Sequence, residues 1–471
     1  HPEFDHFWVS YFHGLVYNKM FAEGQAILEA GTENGLDNDT LAQLQEILAT
    51  APDLGIEREA NLNLAATVAF TDGEGRSDTS EPAETGIEMN FEFVDWTSYA
   101  DRMLNELNNK GKTFDLLVGD SQWIGGGAVN GHYLKLNDFF DREGISMNDF
   151  SDATVYAYST WPKGSENYYA LPLMGDALAW AYRKDWFDRP ELKSEFKSKH
   201  GYDLGVPKTW GELHDMCSFF QGREIDGVVR YGAALNTERG SEGITMGVTA
   251  AMYAWGMEYE DPNKPYHSDG FFNAPNVVEA VEFYKKMYED CSPPGHSNAY
   301  MGENLDAYSS GQVAFQMNWY AFWPGVAKGD KDGRVTGFFA NPCQEICAAT
   351  LGGQGISVVN YSDKKELAQQ YIKWFARPDV QQKWWDLGGY SCHKDVLGSP
   401  DFVNSAVYAQ GFLDSMGIVK DFWQEPSFVE LLIPMQENMH DYIVNGKGSA
   451  KGALDNIIEE WEEVFESEGK L

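Results

Sequence analysis

FDLLVGDSQWIGGGAVNGHYLKLNDFF, Phe114–Phe140, decides how this chain is read. Phe114–Val118 is a short apolar run, the pattern of a strand buried in a parallel sheet. Just upstream, Ile87–Val94 alternates as a strand does, and Thr97–Leu107 repeats its apolar residues at helical spacing. Strand, helix, strand is the signature of a layered α/β domain. Ligands in such layers sit outside the carboxyl ends of the strands. Asp120, Gln122 and Trp123, in the loop after the buried strand, are therefore the first candidates for ligand contact; for Asp120 the competing role is capping the next helix.

The same alternation continues in both directions. Leu62–Phe70 reads as a strand, preceded by a helical stretch over residues 1–60 and followed by an acidic, Gly- and Ser-rich loop, Thr71–Thr85. Downstream, strands are predicted at Trp180–Arg183, Tyr231–Leu235, Val313–Met317 and Ile356–Val359. Between and after them fall helices at Glu191–Lys199, Thr209–Phe220, Thr245–Trp255, Ala274–Tyr288, Lys364–Phe375 and Pro378–Asp386. Asp401–Met416, Ser427–Asn445 and Ala450–Glu466 are mostly helical. Strands crowd the first two thirds and helices the last.

The 471 residues exceed one core's needs, so two or three units are expected. The formal charge of −38 repels nucleic acid and anionic membranes, which excludes both as partners. No apolar run approaches the ~18 residues of a membrane span. The chain opens at His1 rather than Met, which fits a removed signal peptide and a trimmed N-terminus equally. Fifteen tryptophans and 24 tyrosines are more than packing requires, and amphipathic rings commonly line ligand clefts.

Five cysteines leave at least one thiol unpaired. Cys343 and Cys347, in NPCQEIC, could form a local disulfide or stay free; a zinc site with Cys392 and His393 matches no common spacing. Asp330-x-Asp332-Gly333 is a fragment of a calcium loop with Asn341 at its twelfth position, and reads as a turn. There is no P-loop, GxSxG, HExxH or paired CxxC. No catalytic residue, metal or cofactor is expected.

Six segments in order resemble the family 1 extracellular solute-binding proteins of ABC importers, the maltodextrin and multiple-sugar binders. They are Asp95-Trp96 with Phe114–Phe140; YYALPLMGDALAWAYRKDWFDR, Tyr168–Arg189; VPKTWGELHDMC, Val206–Cys217; YSSGQVAFQMNWYAFWPG, Tyr308–Gly325; the long stretch Leu351–Leu397 with its glycine pair; and IVNGKGSAKGALDNIIEEWEEV, Ile443–Val464. Together they span roughly residues 85–471, and none is specific alone. The chain departs from the family at its N-terminus, where about 60 helical residues precede the first strand.

The resemblance implies an α/β, two-lobed periplasmic-binding-protein-like fold with hinge strands and an additional N-terminal helical segment. Lobe 1 would comprise 61–170 plus 345–390, and lobe 2 171–344 plus 391–471. The crossings would fall near Leu171–Met174, Phe339–Cys347 and Tyr390–His393, making a cross-hinge disulfide a second pairing to consider. It also implies a non-catalytic monomer that closes around a small polar ligand, a mono- or oligosaccharide, and delivers it to a membrane permease. The location would be periplasmic, or extracellular and membrane-anchored in a Gram-positive host. Carried over by position, Asp176 is a ligand carboxylate or a hinge brace. Trp319 is a stacking ring, flanked by Asn318 and Tyr320. Glu238, Arg239 and Glu242 lie in a cleft-facing loop. Gly353 and Gln354 offer close backbone approach, and Tyr390 sits by the third crossing. Trp96, Phe322 and Trp323 read as packing. The alternatives are a non-sugar cargo (a polyol, a phosphodiester or an aromatic cofactor-like molecule) and a periplasmic receptor or enzyme on the same fold.

Overall fold

The computed structural model describes residues 60–67, 87–94, 96–240, 242–330 and 335–471; the expected N-terminal helices and the acidic loop lie outside them. Ten strands are described: β1 (Ala60–Thr67), β2 (Ile87–Val94), β3 (Leu116–Asp120), β4 (Leu171–Arg183), β5 (Arg223–Ile225), β6 (Val228–Ala234), β7 (Val313–Trp319), β8 (Thr336–Phe339), β9 (Ala349–Val358) and β10 (Val419–Lys420). Their order is β2-β1-β3-β9-β4-β7-β6-β5, with β8 also beside β4 and β10 beside β9.

The molecule is two-lobed because β4 belongs to both halves of this order. Its first part, Leu171–Ala177, pairs antiparallel with β9; from Leu178 onward it pairs with β7 and β8. The sequence predicts a crossing at Leu171–Met174 and a separate strand at Trp180–Arg183. The structure fuses them, since LPLMGDALAWAYR contains no residue that must end a strand. Pro172, which has no N–H to donate, is absorbed by a register shift before Met174. Tyr390–His393 runs beside this crossing: the Gly175 N–H bonds the Tyr390 carbonyl at 2.9 Å, and the Ser151 N–H bonds that of Cys392 at 2.8 Å.

In the first lobe β1 and β2 run parallel in register from Ala60–Ile87 to Thr67–Val94, and β3 and β9 follow. The helix Trp96–Asn108 buries Tyr99, Met103 and Leu107 against them, and the Tyr99 hydroxyl donates to the Val118 carbonyl at 2.7 Å. In the second lobe the helix Gly243–Ala254 is buried along its whole length, as its lack of a polar face requires. Helix Phe428–Ile443 packs beside it, and helix Ala450–Ser467 packs on Phe428–Ile443, the Trp461 indole N–H donating to the Leu431 carbonyl at 2.7 Å.

Cys343 and Cys347 form the local disulfide, which removes two ligands of the zinc alternative and excludes a cross-hinge bond. A second disulfide, Cys217–Cys291, ties helix Trp210–Phe220 to the end of helix Pro275–Cys291 across 74 residues. Cys392 is a buried free thiol.

Candidate functional site

Where β4 and β9 pass between the lobes there is a cleft of about 600 Å³, its open mouth included. Each wall is built from strand ends.

On the first wall, β3 ends in extended backbone at Asp120, whose carboxylate accepts from the Gln122 N–H at 3.3 Å and so caps the single turn Ser121–Trp123. Asp120 thus caps and also faces the cleft. The Ser121 hydroxyl lies 3.1 Å from Asp120 Oδ1 and 3.0 Å from Asp421 Oδ1. It has one hydrogen to give, so both contacts are satisfied together only when one carboxyl is protonated. Burial, then the Asp421 charge, pushes the Asp120 carboxyl up to about 7 against the hydrogen bonds it accepts. Gln122 is 4% exposed, and its side-chain oxygen has no hydrogen-bond partner.

At the crossing, Asp176 is 3% exposed and, among the described residues, braces no ion pair. Its carboxylate accepts from the Ala177 N–H at 2.8 Å and the Ala321 N–H at 3.4 Å. Burial outweighs these bonds and holds it at about 7. Beside it the β9 glycines serve two separate needs. Gly353 has φ +89°, and a Cβ there would meet the Met174 carbonyl oxygen at 2.2 Å. A Cβ on Gly352 would meet the Trp319 ring at 2.5 Å, so the glycine lets that ring seat against the strand. Gln354, 2% exposed, also has an unpartnered side-chain oxygen.

On the second wall, Trp319 ends β7 and lines the cleft, its indole N–H donating to the Tyr300 hydroxyl at 3.0 Å. Glu242 lines it too, from a left-handed backbone (φ +71°) immediately before helix Gly243–Ala254. Among the described residues its carboxylate has no hydrogen-bond or ion-pair partner. Burial and the Asp120 charge push it well above the usual carboxylate range.

The structure therefore brings Asp120, Gln122, Asp176, Glu242, Trp319, Gly353 and Gln354 to one cleft. It does not bring the other six predicted residues there. Trp123 lies behind Trp96, stacked at 6.0 Å between ring centres, and Trp96 faces the cleft in its place. Asn318 turns back to the Met301 carbonyl at 3.0 Å. Tyr320 is fully buried, its hydroxyl accepting from Ser415 at 3.1 Å, and Tyr390 packs on it and donates to its carbonyl. Arg239 points outward to Glu437 at 2.9 Å, and Glu238 packs against Gly243 off the cleft. Met174, Met246, Tyr300, Met301, Phe322 and Leu351 also line it without having been singled out as ligand contacts. Resemblance rather than local pattern marked Trp319, since alternation puts it on the side of the buried Phe315 and Met317; nothing local marked Tyr300, which arrives by folding. Among the described residues no lysine, arginine or histidine lines the cleft.

Two lobes joined by shared strands, with a polar and aromatic cleft at the joint, define a ligand-capturing receptor. The chain belongs to the bacterial extracellular solute-binding protein family, whose model matches residues 80–382. A probable amino-acid ABC transporter periplasmic-binding protein of Sinorhizobium fredii is 21% identical over 331 residues, 68% of this chain and 70% of that one. A solved solute-binding protein of Thermotoga lettingae bound with α-D-tagatose aligns with TM-score 0.72 at 19% identity, covering 86% of this chain and all of that one (100%). Another, from Agrobacterium radiobacter in complex with ribitol, gives TM-score 0.71 at 20% identity, with 86% and 99% covered. At such identities the structures establish the fold. The chain is the substrate-binding component of an ABC transporter. Among the described residues no helix is long and apolar enough to cross a membrane.

Proposed function

We propose that this protein captures a small hydroxyl-rich ligand, a sugar or polyol, between its lobes, and releases it unchanged to a membrane permease. The observation that carries this reading is the Trp319 ring, seated on Gly352 and flanked by carboxylates from both walls. A flat ring covers the C–H face of a sugar, while carboxylates and amide oxygens accept from its hydroxyls with the stronger, charge-assisted bonds. The tagatose and ribitol complexes of the structural relatives support the same ligand chemistry. A phosphodiester is disfavoured, because no cation among the described residues lines the cleft to receive it.

The work of the fold is hinge closure. Ligand that bridges Asp120 on one wall and Glu242 on the other stabilises the closed population, which the permease reads. The hinge is assigned to the crossing, where Gly175 of β4 pairs with Gly353 of β9. The lobes are 61–170 plus 345–390 and 171–344 plus 391–471, and the protein acts as an extracellular or periplasmic monomer. Calorimetry and thermal unfolding against a panel of monosaccharides, disaccharides and polyols test the reading. At least one should give binding heat and raise the melting temperature; silence across the panel would sink it, and turnover of a bound glycoside would sink the non-catalytic role.

A further inference from the structure

We propose, resting on the reading above, that the ligand carries a positive charge: an amine-bearing sugar or polyol whose ammonium group is held by Asp120, Asp176 and Glu242.

The argument is one of donors and acceptors. Three carboxylates converge on the cleft, none of them ion-paired among the described residues. To these the walls add the side-chain oxygens of Gln122 and Gln354, both more than nine-tenths buried and both without a partner. The site is therefore rich in acceptors and poor in charged donors. A neutral hydroxyl offers one hydrogen and also brings lone pairs that need donors of their own. An ammonium group offers three hydrogens, needs no donor in return, and compensates the charge. Leaving three carboxylates desolvated around a neutral ligand would cost free energy that a cation removes. The Trp96, Tyr300 and Trp319 rings add faces on which a cation is attracted.

Two further observations point the same way. Glu242 occupies a backbone conformation that is strained for a side-chain-bearing residue, and the result is a carboxylate in the cleft with no partner among the described residues. Burial raises the proton affinity of Asp120, Asp176 and Glu242, the direction expected of carboxylates with no cation beside them, and a bound cation would lower it again. The groups facing these three are Asp421 and the tyrosines Tyr158, Tyr300, Tyr320 and Tyr390, none of them cationic. Lys163, outside the cleft lining, acts on Asp421.

Calorimetry on the full chain at near-neutral pH tests this with matched probes: D-glucosamine against D-glucose, D-galactosamine against D-galactose, and glucamine against glucitol. The expected result is that at least one amine binds about tenfold or more tighter than its neutral partner. Glu242→Gln should then narrow that ratio, with Asp120→Asn as the second variant should the first not fold. Neutral members binding as tightly as or tighter than the amines would overturn the charge assignment and leave sugar or polyol capture standing. No binding by any member would overturn both. An unchanged ratio in both variants would remove these carboxylates from the ammonium site.

Discussion

The ends of β3 and β7 reach the cleft from opposite lobes, and at each the sequence marks three neighbouring residues. After β3 the chain turns tightly, so Asp120 and Gln122 share the cleft while Trp123 turns in to back Trp96. At β7 the strand runs straight to its end, so Trp319 faces the cleft while Asn318 and Tyr320 are held by backbone and core. One end supplies acceptors and the other supplies a ring. A ligand must touch both to be held, and that requirement is what couples occupancy to closure.

The comparison breaks most severely where both ends are anchored, on β9. Gly353→Ala places a Cβ against the Met174 carbonyl and the Asp176 N–H and forces an alanine to hold φ +89°. The expected loss is about 2–4 kcal/mol of stability, read as a lower melting temperature in ligand-free protein. Stability unchanged to within about 0.5 kcal/mol would show that the crossing relaxes freely.

Next comes the contrast within β7. Trp319→Ala should weaken binding of whichever sugar or polyol the panel identifies by at least about tenfold, or about 1.4 kcal/mol. Tyr320→Phe removes only the hydroxyl that accepts from Ser415, and should cost about 1 kcal/mol of stability while leaving affinity within about twofold. Equal effects of the two on affinity would mean that the Trp319 ring is not what meets the ligand at this strand end.

These residues also show what could be read from sequence and what could not. β2 was legible to the residue because Ile87–Val94 alternates, and helix Pro378–Asp386 because proline opens it. β9 was legible only from Ile356, since its first half, Ala349–Gly355, has two adjacent glycines and no clean alternation. There the strand is imposed by pairing to β3 and β4 on its two sides. The places of Asp120 and Asp176 at the cleft were legible, the first because ligand clefts of α/β layers lie outside strand ends and the second from the position that the resemblance gives it. Trp96 and Trp123 exchanged roles because sequence cannot say which of two stacked rings is outermost. Tyr300 and the Cys217–Cys291 bond depend on contacts between distant segments, which local pattern does not carry.

A smaller effect separates the crossing from the rest of the acidic surface. An unfolded aspartate titrates near 3.9, whereas folded Asp176 is held at about 7. Between those values the folded state keeps a proton that the unfolded state has released, so stability falls as pH rises through this window. Ligand-free protein should therefore melt at a higher temperature near pH ~5 than near pH ~8. The −38 charge acts in the same direction, so the test is Asp176→Asn, whose melting temperature should change less over the same range. An identical pH slope in both proteins would mean that Asp176 titrates normally.

The smallest effect is expected from Arg239→Ala, three residues before Glu242 in the same loop, NTERGSEG. The Arg239 guanidinium lies outside the cleft and pairs with Glu437, each side chain about half exposed (52% and 53%). Exposed pairs of this kind contribute about 0–1 kcal/mol. Affinity for the ligand should stay within about twofold, against the selective loss expected at Glu242. A marked loss at Arg239 would mean that the loop turns over on closure and brings its one cation inward, and a cationic ligand would then be the wrong partner for the closed cleft.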